Sequence, residues 1–292
     1  MGKSLIVVAA SLTLASVASA QQRRSPDTVI PFKKIGDVVL KQHVYNPPGH
    51  KPTDARPAIV FFFGGGWNKG GAGHFSRQAA YFASRGMIAI CPEYRVKTVH
   101  GTPPSTCVAD GKSAMRWVRA HARELGIDPK RIAAGGGSAG GHVAAAAALS
   151  KGFDEPGEDT TVSCRPDALV LFNPVFDNGP GGYGHDRVKE YWKDFSPRHN
   201  ITAAAPPTIV FLGTRDRLIP VGTARAYQIE MRLAGARCDL HLYEGMGHGF
   251  FNNARFAETV IEADRFLASL GYLTGEPTMK APPRSAAPSS TK

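Results

Sequence analysis

The chain has little of what would place it in several large classes. It carries only four cysteines in 292 residues, Cys91, Cys107, Cys164 and Cys238. None of their spacings is that of a zinc site, and a chain of this length does not need disulfides to fold. Four cysteines permit three full pairings, and the sequence does not choose among them. There is no block of five or six like charges, despite a formal net charge of +11. Nor is there a nucleic-acid-binding motif, so nucleic acid is not expected as a partner. Beyond the N-terminus no stretch approaches the roughly 18 apolar residues of a membrane span, so stable membrane insertion is not expected. No Gly-Lys-Ser/Thr follows the glycine cluster at Gly135–Gly141, which excludes a phosphate loop there.

What is present divides into three parts. MGKSLIVVAASLTLASVASA (1–20) has a short positive region at Lys3, an apolar stretch and a small-residue cleavage site at Ala18-Ser19-Ala20. This is the pattern of a secretory signal peptide, and it predicts a secreted or periplasmic protein. GEPTMKAPPRSAAPSSTK (275–292) is rich in Pro, Ser and Ala without hydrophobic periodicity, and reads as a disordered tail. Between them, 26–274 reads as the folded body.

The body alternates strands and helices. Strand-like runs are TVIPFKKI, DVVLKQHVY, AIVFFF, MIAICPEY, RIAAGGG, ALVLFNPVF, PTIVFLGT and CDLHLY. Between and after them fall helical patterns such as CVADGKSAMRWVRAHARELG and SAGGHVAAAAALS. This alternation predicts an α/β fold: a mostly parallel central sheet with helices on both faces, and no large cap domain. Functional groups then collect beyond the carboxyl ends of the strands. The long segment 176–201 follows a strand end and is placed to overhang such a site. Asp110 is expected to cap or charge the start of its helix.

Gly136-Gly137-Ser138-Ala139-Gly140 matches G-x-S-x-G, in which serine sits on a sharp strand-to-helix turn with its hydroxyl exposed above the sheet. The helix start behind it favours developing negative charge. Gly135, Gly137 and Gly140 also fit a dinucleotide fingerprint, G-x-G-x-x-G. That alternative needs an acidic residue at the end of the next strand, and the nearest ones lie in a polar loop. Order along the chain favours the serine reading. Asp216 follows PTIVFLGT and lies 78 residues after Ser138; His248 follows CDLHLY and lies 32 residues further on. Ser, then acid, then His is the order of a nucleophile-elbow hydrolase. Asp177 is the rival acid, because it too follows a strand end. His142, His185, His199 and His241 are less well placed.

Such a serine needs N–H donors aimed at the oxyanion. One is expected from Ala139 and others from Gly64-Gly65-Gly66, the loop after an early strand. Together, Phe63-Gly64-Gly65-Gly66-Trp67, Glu93-Tyr94-Arg95, the Ser138 elbow, Asp216 in TRDRLIP and His248 in GHGFFN resemble the α/β-hydrolases of the hormone-sensitive-lipase and acetyl-esterase type. The resemblance covers nearly the whole body. It implies oxyanion amides at Gly65, Gly66 and Ala139, and a cofactor-free, metal-free serine carboxylesterase with the triad Ser138, Asp216, His248. Two features depart from the family: Phe63 stands where a histidine is usual, and the long N-terminal cap is missing. The short form is similar to secreted bacterial esterases that remove acetyl or feruloyl groups from plant polysaccharides, which makes an acylated polysaccharide the expected substrate partner. Lipase, amidase, peptidase and non-catalytic binding protein are the alternatives on this fold; retention of all three triad candidates argues against the last. Trp67 reads equally as a wall of the site or as a core tryptophan, and Tyr183, Tyr191 and Trp192, from the long segment, are further candidate substrate contacts.

Overall fold

The computed structural model describes residues 24–280. Eight strands form one sheet in the order β1-β2-β4-β3-β5-β6-β7-β8. They are β1 (Thr28–Ile35), β2 (Val38–Tyr45), β3 (Arg56–Phe62), β4 (Ile88–Pro92), β5 (Ile127–Gly137), β6 (Ala168–Phe172), β7 (Thr208–Gly213) and β8 (Cys238–Tyr243). β1 and β2, and β2 and β4, pair antiparallel. Every other pairing is parallel. The helices are α1 (Ser76–Ser84), α2 (Lys97–His100), α3 (Pro104–Ala120), α4 (Ala139–Leu149), α5 (Trp192–Phe195), α6 (Val221–Leu233) and α7 (Phe256–Ser269).

Side chains alternate across the pleat, so each strand feeds two cores. In β3, Val60 and Phe62 pack on one face with Val108 and Met115 of α3, Val143 of α4 and Tyr227 of α6. Ile59 and Phe61 pack on the other with Phe82 of α1 and Val260 and Phe266 of α7. The central strands are buried on both faces, which is why they read as continuous apolar runs. α4 has alanine or glycine at most positions, and this lets its axis lie close to the sheet. A side chain at Gly140 would stand 2.2 Å from the carbonyl oxygen of Phe62 and 2.3 Å from that of Phe63.

Several boundaries differ from the sequence expectation. α3 begins at Pro104, where proline suits a first helical turn. Asp110 therefore lies in the second turn and does not cap the helix. It is fully buried. Its Oδ1 accepts from Lys33 Nζ and from Arg95 at 2.8 Å, and its Oδ2 accepts from Arg95 Nε and the Arg95 backbone N–H at 2.9 Å. Glu155 joins the cluster through Lys33 at 2.8 Å and Arg95 at 2.7 Å. A buried carboxylate without such partners would be very costly. The four cysteines are free thiols. At the carboxyl end, the segment read as a tail starts against the body: the carbonyls of Thr274 and Gly275 accept from Arg85, and Met279 packs on the second core. The stretch 1–20, read as a signal peptide, and the remainder of the segment read as a tail, 281–292, lie outside the described residues.

Candidate active site

The carboxyl ends of β3, β5, β6, β7 and β8 meet around one cavity of about 770 Å³. Gly64, Gly65, Gly66, His74, Ser138, Asn173, Tyr183, Leu218 and His248 are among its walls. Ser138 joins β5 directly to α4 at φ 56°, ψ −121°. A non-glycine residue at positive φ is strained, and strain of this kind collects at functional sites. The turn closes because the motif's two outer glycines have no side chain. A Cβ on Gly136 would lie 2.5 Å from the carbonyl group of Gly140. The Ser138 backbone N–H donates to Phe172 O at 3.0 Å, and its carbonyl accepts from Val175 N–H at 3.2 Å. Both flanking contacts come from the β6 end, so the strained turn is held from outside.

Asp216 and His248 come together although 32 residues separate them. The loops after β7 and β8 are stitched by Thr214 N–H to Tyr243 O (3.0 Å), Arg215 N–H to Met246 O (2.9 Å) and Gly245 N–H to Thr214 Oγ1 (2.9 Å). Asp216 Oδ1 accepts the backbone N–H groups of Leu218 and Ile219 at 2.9 and 3.0 Å. This fixes the carboxylate, whose Oδ2 lies 2.7 Å from His248 Nδ1. A carboxylate can only accept, so Nδ1 carries the hydrogen and Nε2 of the neutral ring is left as the base. The rival acid is accounted for elsewhere: Asp177 accepts from Gly179 N–H and from Arg198, both at 2.8 Å.

The glycine loop has a conformation only glycine takes readily. Gly65 and Gly66 sit at φ 135° and 64°, and a Cβ on Gly65 would fall 1.9 Å from Lys69 O. Ala139 opens α4, where the first N–H groups have no intrahelical partner. The loop is anchored at two points: His74, which the sequence did not single out, and Tyr94 of the Glu93-Tyr94-Arg95 motif. Gly64 N–H donates to His74 Nδ1 at 3.0 Å. Tyr94 donates its hydroxyl to Phe63 O at 2.5 Å while its ring stacks on Phe63 at 3.8 Å and 5°. Glu93-Tyr94-Arg95 thus works as a brace: Tyr94 holds the glycine loop and Arg95 the buried Asp110.

Of the candidate substrate contacts, Tyr183 lines the cavity and Trp67 does not. Trp67 has φ 61°. That turn sends the indole inward, where it is 1% exposed and packs on His142, Tyr183 and Phe195. Tyr191 packs on Phe195 and on Phe153, Trp192 packs on His199, and both lie against the first core and away from the cavity walls. The cavity walls include Lys69 and Arg77 and, among the described residues, no Asp or Glu. Its polar character continues in Asn68, Ser76, Asn252 and Asn253, with Leu218 and Phe251 as the larger apolar surfaces. Among the described residues no cluster of three His, Cys, Asp or Glu could hold a metal, and no helix is long and apolar enough to cross a membrane.

A serine on a strained strand-to-helix turn of a mostly parallel sheet, with an Asp–His pair on the loops of the last two strands, defines an α/β-hydrolase. Comparison with known proteins agrees. The BD-FAE family matches residues 43–173 and the dienelactone hydrolase family residues 181–269. Carboxylesterase NlhH of Mycobacterium tuberculosis is 34% identical over 284 residues, covering 87% of each chain. Esterase LipC of the same organism is 32% identical over 229 residues, 68% of this chain and 54% of LipC. The chain therefore spans about half the length of LipC but most of NlhH. Among solved structures, Thermogutta terrifontis esterase 2 phosphoramylated by tabun superposes with a TM-score of 0.82 at 44% identity, covering 85% of this chain and 96% of that one. The same esterase has been solved with propionate bound. The chain belongs to the α/β-hydrolase esterases.

Proposed function

We propose that the protein is a secreted serine carboxylesterase that releases short acyl groups, acetyl or feruloyl, from hydroxyl-rich esters such as plant polysaccharides. The observation that carries the catalytic reading is the 2.7 Å contact of Asp216 with His248 Nδ1, in a cavity that His248 shares with Ser138 on its strained turn. His248 Nε2 takes the Ser138 proton as Oγ attacks the ester carbonyl. The amides of Gly65, Gly66 and Ala139 receive the oxyanion. The alcohol leaves with the proton from His248, and an acyl-enzyme remains. Water, deprotonated by His248, then releases the acid and restores Ser138. Asp216 keeps the ring in the tautomer that makes Nε2 the base. The propionate-bound and butyrate-bound structures of the Thermogutta esterase support a short acyl group. The polar walls of the cavity support a hydroxylated alcohol part, and the N-terminal 20 residues support export.

The test is hydrolysis of p-nitrophenyl esters of increasing chain length and of acetylated and feruloylated xylan, with labelling by a fluorophosphonate. Ser138→Ala is expected to abolish labelling and lower kcat by about 10⁶, as loss of a triad serine does in subtilisin. Turnover by Ser138→Ala within tenfold of wild type would sink the mechanism. Release from p-nitrophenyl esters without release from either xylan would sink the polysaccharide assignment alone.

A further inference from the structure

We propose that Asn173 is a positioning residue of the same site, and that its amide keeps His248 in the neutral, proton-accepting state. The proposal rests on the hydrolase reading above.

Asn173 follows the last residue of β6 with φ 35° and is fully buried. Glycine would take this backbone without cost, and asparagine is among the few side chains that tolerate it. Its backbone N–H is used in the sheet extension, donating to Phe211 O at 2.7 Å. The side chain then reaches the histidine loop with both ends. Oδ1 accepts the Gly249 backbone N–H at 2.9 Å. That contact fixes the orientation of the amide, because a backbone N–H must face the oxygen. The NH₂ end is therefore the one beside the imidazole, with Nδ2 3.4 Å from His248 Nε2. The separation is at the long end of the hydrogen-bond range.

The chemistry of this contact has a sign. Nε2 of neutral His248 is an acceptor, and an amide NH₂ can only donate to it. Once Nε2 is protonated, two N–H groups oppose each other and the contact is lost. Asn173 thus favours the neutral ring at rest. After Ser138 has passed its proton to Nε2, it also favours delivery of that proton to the leaving group. Among the described residues, Asp216 on Nδ1 is the charged partner of the ring, and the other charged or titratable groups that share its cavity are Tyr183 from the 176–201 segment, Lys69 and His74 from the loop after β3, and Arg77 of α1. None of them bonds to the Asn173 amide among the described residues, so a change at 173 reports on its own contact. Sequence reading had no access to this residue: it lies in an apolar run, ALVLFNPVF, that looked like continuous strand.

Asn173→Asp is nearly isosteric. It keeps an acceptor for Gly249 N–H and replaces the donor at Nε2 by an anion. An opposite charge at this distance raises a histidine pKa by about one unit or more. We expect the His248 titration, followed by imidazole NMR and assigned with His248→Gln, to rise by about one unit. The acid limb of kcat/KM for p-nitrophenyl acetate should move up with it. Asn173→Gly keeps the left-handed backbone and removes both amide contacts; kcat should fall about tenfold with KM within about threefold. An Asn173→Asp protein whose NMR titration and acid limb both stay within about 0.3 unit of wild type would overturn the proposal. So would an Asn173→Gly protein with wild-type kcat, a test that stands if the aspartate variant does not fold. If the wild type hydrolyses no ester, the hydrolase reading fails, while the NMR titration still decides whether the amide controls the ring.

Discussion

The backbone N–H of Gly64 donates to the imidazole of His74 at 3.0 Å, ten residues away along the chain. In the family this chain resembles, a histidine is usual at the place of Phe63. Here the work is divided. Phe63, 2% exposed, secures the loop by stacking on Tyr94, and His74 supplies the polar tie. Phe63→Ala should act through packing, at about 3–5 kcal/mol of stability for a buried aromatic, with kcat of the remaining folded enzyme largely kept. His74→Ala should do the opposite, lowering kcat about tenfold while the thermal midpoint moves little, because it loosens one amide of the loop. Paired kcat and melting measurements decide it. A stable, inactive Phe63→Ala protein would place the ring in the chemistry instead.

The two candidate acids differ in what they hold. Asp216 faces His248, whereas Asp177 ties Arg198 to the start of the 176–201 segment. Asp216→Asn should cost about 10⁴ in kcat through loss of the correct tautomer, the size known for the same change in a chymotrypsin-type protease. Asp177→Asn should leave kcat within a few-fold and act, if at all, on stability. Steady-state kinetics on both variants is the check, and the reverse order of severity would exchange their roles.

His142 predicts a pH dependence of stability. It is fully buried one turn into α4, its ring 3.0 Å from Phe195 O through Nε2, and burial pushes its pKa down to about 3. In the unfolded chain an ordinary imidazole takes a proton near 6.5. Between those values the unfolded state binds the extra proton, so this contribution is whole above about pH 6.5 and is lost as pH falls toward 3. One unit below 6.5 the loss reaches about 1.4 kcal/mol. Melting curves at pH 7 and 5.5 should therefore drop further for wild type than for His142→Gln, by a few degrees. Equal drops would refute it.

The strand-end placement of Ser138, Asp216 and His248 was legible because each sits just past an apolar run, and because an elbow demands glycine at fixed offsets. The strands were legible for a similar reason, since burial on both faces leaves no polar interruption. Contacts that close only in three dimensions were not. His74 carries no local mark of its bond to Gly64. Trp67 read equally as a wall of the site or as core, and one positive φ, which the sequence does not announce, placed it in the core. The strand β6 ends at Phe172, although the apolar pattern runs on to Phe176, because Asn173 turns the chain. Asp110 looked like a helix cap until Pro104 set the true start of α3 and left it in a buried ion cluster.

The seating of α4 on the end of β3 has a consequence for redesign. With Gly140 pressed against the carbonyls of Phe62 and Phe63, and the Cβ position of Gly64 only 2.8 Å from Gly137 O, the serine turn and the glycine loop touch backbone to backbone. No substitution at these glycines can reshape one loop without displacing the other. Selection for new substrates therefore has a fixed floor and a free rim. Libraries that spare positions 64–66 and 135–141 and randomise Asn68, Lys69, Tyr183, Leu218 and Asn253 would spend their diversity where the scaffold can accept it.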